Sequence, residues 1–483
     1  MRWGPKHGDC AVRLKDDMSS NFGFLQELLN SVADTSRTLL AKRLSTETED
    51  SRGLQALVDA LMAGRGEASG MVIAYQLLRH YDEMAPELRL VFFQYIAEVL
   101  KPDPETVKAA TAAYEAAPSE ATLTALQDAV ESPKQEFFRR LNMAPGATAQ
   151  IVAMRTELLG LLRDHPELSA IDRDLYHLLQ SWFNRGFLVL RRIDWQTPAA
   201  ILEKIIAYEA VHEIDGWDDL RRRLQPADRR CFGFFHPSLV DEPLIFVQVA
   251  LTDGVSGNIA SLLNASEPEA RGEQASPTTA VFYSISNCQA GLRGVSFGNF
   301  LIKQVVEELK KEFPSLTTFV TLSPVPRFAH WLEQEAGDGA DGAIVSETER
   351  GALARLGDAN WWDDEAIADD MRDTLVALAA TYLVEAKRAD GLPVDPVARF
   401  HLGNGARLER INWMADMSAS GLRQSHGLMV NYLYDIREIE ANHEAFANEG
   451  SVVASRVVKG YLKTRGRGGE RTTLQSLGLT SER

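Results

Sequence analysis

The chain has 483 residues, which is too long for one hydrophobic core and predicts roughly two to four domains. Hydrophobic residues make up 45% of it, so a large core is available. Its 68 acidic and 51 basic residues give a net charge of −17, which argues against general nucleic-acid binding and against docking on an anionic membrane surface.

The sequence carries no sign of a membrane or secretory route. No stretch approaches the ~18 to 20 continuous apolar residues of a membrane-spanning helix. The N-terminus has no apolar segment and includes Asp9, Asp16 and Asp17, unlike a leader peptide, and the C-terminus is not a peroxisomal signal. The three cysteines form neither a CxxC pair nor a metal-binding cluster, as expected in a reducing compartment. We therefore expect a cytoplasmic protein without a metal.

The first third of the chain predicts helix after helix. Apolar residues repeat at i, i+3 and i+4 in NFGFLQELLNSVADT, LQALVDALMAG and LRLVFFQYIAEVLK. Two alanine-rich helices follow, broken at Pro118, and Asp103 between two prolines has the chemistry of a helix start. We expect residues 1–186 to form a helical domain whose role is oligomerisation.

Residues 187–483 are expected to form a second domain, because strand-like runs begin there. FLVLRRIDW, CFGFFHP, PLIFVQVALT and TTAVFYSIS predict strands, with a helix PAAILEKIIAYEAV after the first. A glycine-marked loop then leads into the helix FLIKQVVEELKKEF and the strand TTFVTL. Strand, loop, helix, strand is the order of a unit that binds a ligand at its strand ends. Further on, EQEAGDGADG predicts a surface loop at residues 333–342.

The glycine-marked loop could hold a phosphate, because glycines allow close backbone approach and a helix start offers unpaired N–H groups. An ordinary turn before a core helix is the alternative. The spacing of the glycines excludes a Walker A motif and a dinucleotide fingerprint. The loop better resembles the acetyl-coenzyme A loop of GNAT acetyltransferases, [RQ]-x-x-G-x-[GA], with a serine in place of the first motif glycine. The loop residues are Arg293, Gly294, Val295, Ser296, Phe297, Gly298 and Asn299.

Two further residues suit acyl-thioester chemistry. Ser323 follows the strand TTFVTL and precedes a proline, and His401 opens HLGNGA, where Asn404-Gly405 predicts a turn that could fix the imidazole. Taken singly, such a serine often only forms a turn, and such a histidine often lies in a core or on a surface. Beside a coenzyme A loop they fit carbanion chemistry, which needs hydrogen-bond donors at the thioester oxygen and a proton donor at the α-carbon.

Four stretches, taken together and in order, resemble the malonyl-CoA decarboxylase family. They are RGVSFG, FLIKQVVEELKKEFPSL, TLSPVPRFAHWL and FHLGNGARLERINWMADMSASG. The resemblance implies a helical N-terminal oligomerisation domain, a GNAT-like acyl-CoA-binding domain with a mixed central sheet, and a homotetramer. In that family the serine of SP[IV]P and the histidine of FHLxNGA form the active-site pair, which maps to Ser323 and His401 and leaves Asn404 in a supporting position. The family's coenzyme A loop maps to Arg293 through Asn299.

The resemblance also implies the reaction, in which malonyl-CoA becomes acetyl-CoA and carbon dioxide. Coenzyme A is then part of the substrate, and no further cofactor is expected because the thioester itself accepts the electron pair. We expect His401 to protonate the α-carbon, and Ser323 to orient the leaving carboxylate or to accept a hydrogen bond from His401. Two alternatives remain open: a GNAT-type N-acetyltransferase using the same loop, and a non-catalytic acyl-CoA sensor.

Overall fold

The structure is a computed structural model that describes residues 51–64, 66–264, 276–295, 301–336, 344–358 and 360–463. The described chain divides into two compact units. One contains the described residues up to Asn184 together with Gln289–Val295, and the other contains Arg185–Cys288 and the described residues from Leu301 onward. No helix within these ranges is long and apolar enough to cross a membrane. The helix expected in NFGFLQELLNSVADT lies outside the described residues.

The helical unit packs its helices around an apolar core in which Phe93, Phe137 and Ile151 are fully buried. Its helices are α1 Ser51–Ala63, α2 Glu67–Glu83, α3 Pro86–Val99, α4 Pro104–Ala116, α5 Glu120–Val130, α6 Pro133–Leu141, α7 Ala147–Leu161 and α8 Ser169–Trp182.

Helix α4 begins where the sequence predicts. Asp103 caps it, because its carboxylate accepts the backbone N–H of Thr106 at 3.0 Å, and Pro104 occupies the first turn. Helix α4 ends at Ala116 and α5 starts at Glu120, so the predicted break at Pro118 is confirmed. Neither of these two helices buries any residue.

The second unit is organised by one mixed sheet, in the order β1-β2-β3-β4-β5-β8-β6 with β7 paired to β8. Its strands are β1 Val189–Ile193, β2 Arg229–Phe235, β3 Pro243–Thr252, β4 Thr279–Asn287, β5 Thr318–Thr321, β6 Ser323–Pro324, β7 Arg407–Asn412 and β8 Met429–Leu433. Its helices are α9 Ala199–Tyr208, α10 Gly216–Leu224, α11 Ala260–Leu263, α12 Leu301–Glu312, α13 Phe328–Ala336, α14 Glu347–Leu353, α15 Glu365–Val384, α16 Pro396–Gly403, α17 Ala419–Ser425 and α18 Ile439–Glu449.

The pairing of the strands changes from antiparallel to parallel between β4 and β5. Strands β1 to β4 pair antiparallel in sequence order, with β1 joined to β2 through Val189 opposite Phe235. Strand β5 pairs parallel with β4, Thr279 lying opposite Thr318. A parallel pair needs a crossover connection, which the chain from residue 288 to 317, including α12, supplies. The carboxyl ends of β4 and β5 therefore lie at the same edge of the sheet.

The predicted order is confirmed in the described residues: a helical N-terminal region precedes a domain built on a mixed sheet. One local prediction is partly wrong. EQEAGDGADG does not begin as a loop, because its first four residues form the last turn of α13, which ends at Ala336. Trp331 and Leu332 are buried on this helix, so packing continues the helix further than the glycines and acids alone indicate. The remainder of that stretch lies outside the described residues.

Candidate active site

Ser323 lies in the shortest strand of the described sheet. Strand β6 holds only Ser323 and Pro324, which pair with Val430 and Met429 of β8. Proline has no N–H to donate to a ladder, so the pairing stops at once. Ser323 thus follows β5 directly at the carboxyl edge of the sheet, and it is buried.

His401 lies on α16. Asp395 caps this helix, because its Oδ1 accepts the N–H of Ala398 at 2.7 Å. The helix ends in a turn at Gly405, whose φ is +81°. A Cβ at this glycine would lie 2.1 Å from the carbonyl oxygen of Ile439, so only glycine fits there. The backbone N–H of Ala406 then donates to the carbonyl of His401 at 3.0 Å, which closes the helix end behind the imidazole.

The structure brings Ser323 and His401 together. The Oγ of Ser323 lies 3.0 Å from Nε2 of His401, and Nδ1 of His401 lies 2.8 Å from the hydroxyl of Tyr434. Ser323 donates its hydroxyl proton to Oγ1 of Thr321 at 2.8 Å. A serine hydroxyl has one proton, so Nε2 of His401 must be the donor toward Ser323. A neutral imidazole protonated on Nε2 accepts at Nδ1, which makes Tyr434 the donor there.

Thr321 is fixed by the neighbouring strand. Its Oγ1 accepts the backbone N–H of Tyr432 at 3.1 Å, and its carbonyl accepts from the side-chain amide of Asn431 at 2.7 Å. The hydrogen bonds therefore run in one direction, from the Tyr434 hydroxyl through His401 and Ser323 to Thr321. We call these four residues the site chain.

Burial keeps the site chain neutral. His401 is only 3% exposed, and its ring stacks on that of Tyr432 with the centroids 4.5 Å apart. Burial lowers the pKa of His401 to about 3, because a buried imidazolium loses its hydration. Burial likewise raises the pKa of the Tyr434 phenol, so this hydroxyl keeps its proton at neutral pH. The imidazole is therefore uncharged and can donate only through Nε2.

Sequence reasoning missed Thr321, Tyr432 and Tyr434. The two tyrosines are two residues apart at the end of β8, and a period of two puts both on the face where His401 lies. The alternation in MVNYLY carries this signal. It does not distinguish a polar site from an ordinary buried strand face, because tyrosine is common in both.

Asn404 lies at the end of α16 in the same turn as Gly405. It is buried, its backbone N–H donates to the carbonyl of His401 at 3.1 Å, and its side-chain amide donates to the carbonyl of Phe400 at 2.7 Å. Its contact with His401 is thus through the backbone. Its side-chain oxygen has no hydrogen-bond partner among the described residues.

The first three residues of the predicted coenzyme A loop, Arg293–Val295, belong to the helical unit, whereas Ser323 and His401 belong to the sheet unit. Gly294 has a φ of +86°, which favours glycine at that position. The side chain of Arg293 is exposed, and Val295 is buried. The remaining loop residues Ser296, Phe297, Gly298 and Asn299 lie outside the described residues.

The loop also matches a pattern that sequence reasoning passed over. Gly294-Val295-Ser296-Phe297-Gly298 fits G-x-S-x-G, the nucleophile elbow of α/β-hydrolases. That motif belongs to a predominantly parallel sheet with helices on both faces, whereas β1 to β4 here pair antiparallel. The match is therefore coincidental. No three His, Cys, Asp or Glu side chains in the described ranges converge as metal ligands would.

Comparisons with known proteins match two regions of the chain to one family. A profile of the malonyl-CoA decarboxylase N-terminal domain matches residues 100–183, and one of the malonyl-CoA decarboxylase C-terminal domain matches residues 186–471. The chain is 38% identical over 343 residues to the mitochondrial malonyl-CoA decarboxylase of Rattus norvegicus, which covers 66% of this chain and 69% of the rat protein. The crystal structure of malonyl-CoA decarboxylase from Rhodopseudomonas palustris is 53% identical, with a TM-score of 0.81 over 85% of this chain and 99% of that one. The structure from Agrobacterium vitis is 50% identical, with a TM-score of 0.80 over the same shares.

Proposed function

Since the chain belongs to the malonyl-CoA decarboxylase family, we propose that it converts malonyl-CoA to acetyl-CoA and carbon dioxide. The observation that carries the proposal is the buried hydrogen bond between Ser323 and His401, with the proton on Nε2 of the histidine. Both residues lie within the region that matches the family's C-terminal domain.

The proposed chemistry is one bond cleavage followed by one proton transfer. The bond between the α-carbon and the carboxylate breaks, carbon dioxide leaves, and the electron pair enters the thioester as an enolate. Nε2–H of His401 then protonates the α-carbon while the Tyr434 hydroxyl passes its proton to Nδ1, and the pair is reset when a solvent proton enters at Nε2 and Nδ1 returns its proton to Tyr434. One proton is consumed per turnover and is restored from solvent. Because the thioester accepts the electron pair, no metal or organic cofactor is part of the proposal.

The direction of the hydrogen bonds favours this role over nucleophilic catalysis. A serine nucleophile needs a histidine that accepts its proton, as in a serine-histidine hydrolase. Here Ser323 donates to Thr321, so the histidine is a donor toward Ser323 and cannot activate it. Ser323 is instead suited to place the imidazole, because its oxygen accepts the hydrogen bond from Nε2. An N-acetyltransferase would equally need a base, which an imidazole protonated on Nε2 and with a pKa of about 3 does not provide.

The neutral surroundings of the pair also suit a decarboxylase. Thr321, Tyr432 and Tyr434, which contact Ser323 or His401, carry no charge at neutral pH. A cation beside the substrate carboxylate would stabilise the ground state and oppose the loss of carbon dioxide. An uncharged site leaves hydrogen bonds to act on the enolate, whose charge appears only in the transition state.

We further propose that Arg293 through Asn299 hold the pyrophosphate of coenzyme A, and that Asn404 supports the helix end behind His401. Residues 1–186 are proposed as an oligomerisation domain, residues 187–483 as the catalytic domain, and the assembly as a homotetramer with no nucleic-acid or membrane partner. Cytoplasmic location stays a prediction, and the rat relative is named mitochondrial.

One assay separates the candidate functions. The purified chain is incubated with malonyl-CoA alone, and carbon dioxide and acetyl-CoA are quantified. A decarboxylase forms both in equal amounts without an acceptor, whereas an N-acetyltransferase consumes only acetyl-CoA in the presence of an amine, and a sensor consumes neither. If malonyl-CoA is bound but persists, the proposal is wrong and the sensor reading replaces it.

A second experiment addresses the histidine. His401→Ala is expected to lower kcat by a factor of ~10² to 10⁴ and to leave the affinity for coenzyme A nearly unchanged, because the proton donor acts at the far end of the substrate. Normal turnover in this variant would remove His401 from the mechanism without touching the assignment of the substrate.

A further inference from the structure

A buried arginine of the helical unit holds the segment that leads into the proposed coenzyme A loop. Arg155 lies on α7 and is 2% exposed. Its Nη1 donates to the carbonyl oxygen of Gly291 at 2.7 Å and to that of Arg293 at 3.1 Å. One guanidinium group thus fixes two carbonyls that are two residues apart.

The arginine is itself held. Its Nε donates to Oδ1 of Asp172 on α8 at 2.8 Å, and its guanidinium lies over the ring of Tyr176, 5.6 Å from the centroid. Such charge-assisted contacts from a planar group restrict its orientation more than a lysine ammonium could. We use the name Arg155 clamp for Asp172, Arg155 and the two carbonyl groups that Arg155 holds, those of Gly291 and Arg293.

The segment also approaches α7 as closely as a backbone can. A Cβ added at Gly291 would lie 1.9 Å from the carbonyl oxygen of Val152, so any side chain there would push the segment away. Leu292 and Val295 are buried on either side of the exposed Arg293 and Gly294. The path of the backbone from Gly291 to Val295 is therefore set by the helical unit.

We propose that Arg155 is a positioning residue for the binding of coenzyme A. By fixing the carbonyls of Gly291 and Arg293, it determines where the Arg293 side chain and the start of the loop stand. This inference rests on the proposed function, in which that loop holds the pyrophosphate. Coenzyme A is the part of the substrate that does not change in the reaction, so losing the clamp weakens binding and leaves the chemical step nearly intact.

The test measures binding and turnover separately on the full chain. Arg155→Ala is expected to raise KM for malonyl-CoA and the Kd for free coenzyme A by about tenfold, and to change kcat by less than about threefold. Arg155→Lys keeps the charge without the planar fork and should fall between this variant and the unmodified chain. Gly291→Ala disturbs the same segment from its other side and should reproduce the pattern of Arg155→Ala.

Arg140→Ala is the matched control. Arg140 is another arginine of the helical unit whose Nη1 holds backbone carbonyls, those of Leu61, Met62 and Gly64, but at the end of α1. Its loss should lower thermal stability and leave the Kd for coenzyme A unchanged. If Arg155→Ala weakened binding only by loosening the whole helical unit, Arg140→Ala would raise the Kd for coenzyme A by the same factor. That result would overturn the inference.

The remaining outcomes are also decisive. If folded Arg155→Ala and Gly291→Ala bind coenzyme A as tightly as the unmodified chain, the clamp has no positioning role. If Arg155→Ala does not fold, Arg155→Lys and Gly291→Ala decide by the same two constants. If the unmodified chain binds no coenzyme A, the proposed function fails and the positioning role of Arg155 fails with it, whereas unchanged binding in the two variants removes the positioning role alone.

Discussion

At the scale of single residues, Tyr434 decides which nitrogen of His401 carries the proton. Its hydroxyl lies 2.8 Å from Nδ1, and burial raises the pKa of the phenol, so it remains a donor at neutral pH. An imidazole that accepts at Nδ1 carries its proton on Nε2, toward Ser323. We therefore expect the tyrosine to hold the imidazole in the tautomer that the proposed mechanism requires.

Tyr434→Phe tests this role. The substitution removes one hydroxyl and leaves Nδ1 buried without a hydrogen-bond partner, so the imidazole loses the contact that holds its tautomer. We expect kcat for malonyl-CoA to fall roughly 10- to 100-fold, as the loss of a buried hydrogen-bond partner costs about 1 to 3 kcal/mol, with little change in KM. Tyr75→Phe, at a half-exposed position of α2, is the control and should have no effect. Equal kcat in the two variants would mean that Tyr434 does not set the tautomer.

Ser323 and His401 could be predicted from the sequence, whereas their partners could not. SPVP and FHLGNGA are distinctive because proline fixes the backbone, whereas glycine and asparagine permit a left-handed turn, at fixed positions. Thr321 and Tyr434 have no such local mark. They matter only because β5 and β8 are neighbours in the sheet, and Val320 opposite Leu433 is the register that brings them to the site. Tertiary packing decides which residues face each other across neighbouring strands, and a local sequence pattern does not reveal that pairing.

At the scale of elements, the position of His401 depends on how α16 ends. Gly405 combines a left-handed backbone with a close contact to the carbonyl oxygen of Ile439 at the start of α18. Any other residue would strain the turn and also separate α16 from α18. The contact between Gly405 and Ile439 therefore fixes the position of α16 against α18. The sequence Asn404-Gly405 predicts the turn but not this contact.

Gly405→Ala and Gly391→Ala separate the effect of backbone strain from the effect of the close contact with α18. Gly391 has a φ of +79° and nothing within 4 Å of an added Cβ, so its substitution reports backbone strain alone. We expect Gly391→Ala to lower the free energy of unfolding by about 1 to 2 kcal/mol, and Gly405→Ala to lower it by about 1 to 3 kcal/mol more. Only Gly405→Ala should also reduce kcat. Chemical denaturation and steady-state kinetics measure both, and equal losses in the two variants would remove the contact with α18 from the explanation.

A second element, α17, ends in a partly buried histidine that makes stability depend on pH. His426 caps this helix with a φ of +52° and packs against Phe328 and Trp361. Burial lowers its pKa to about 4, below the value of about 6.5 for an unfolded histidine. As the pH falls below about 6.5 the unfolded chain binds a proton first, so stability is lost on acidification until the pH reaches the folded pKa. The lowered pKa of His401, about 3, likewise makes the folded chain less stable on acidification.

His426→Asn removes this titration and keeps a residue that tolerates the left-handed conformation. We expect the loss of unfolding free energy between about pH 7.5 and pH 5 to be smaller by about 2 kcal/mol in the variant than in the unmodified chain. Urea denaturation at the two pH values measures the difference. His330→Asn, at an exposed position of α13, is the control, and the same reduction there would show that the effect is not specific to His426.

At the scale of the whole molecule, the alanine-rich helices α4 and α5 are the best candidate for the contact between protomers. They pack on each other but bury no residue, and Leu123 and Val130 of α5 are 40% and 49% exposed. Apolar side chains left uncovered on this hairpin favour association with a second copy. This supports the proposed oligomerisation role of the helical domain.

Light scattering coupled to size exclusion tests the assembly. The unmodified chain is expected at four times its mass of 53.5 kDa. Leu123→Glu places a charge on the uncovered face and should reduce the mass, while Val457→Glu, at an exposed site of the other unit, should not. A monomer in all three samples would contradict the tetramer, and an unchanged tetramer in Leu123→Glu would place the contact elsewhere.

The order of elements along the chain was largely predictable, whereas the grouping of Gln289–Val295 with the helices was not. Hydrophobic periodicity identifies each helix and strand where it is strong, as in PLIFVQVALT, which matches β3 residue for residue. The grouping depends on Arg155 reaching the carbonyls of Gly291 and Arg293, from which it is separated by more than a hundred residues. A buried arginine looks like any other in a sequence, so nothing local marks it.

The Arg155 clamp has a consequence for how the chain is made. Synthesis runs from the N-terminus, so α1 to α8 emerge before Arg185–Cys288, and only then does the segment that completes the first unit follow. Until residue 295 has emerged, Arg155 and Asp172 can pair with each other, but the two carbonyls that Arg155 holds are still missing. The helical unit is therefore an unfinished folding unit on the ribosome, and it closes only after most of the antiparallel strands of the second unit have been synthesised.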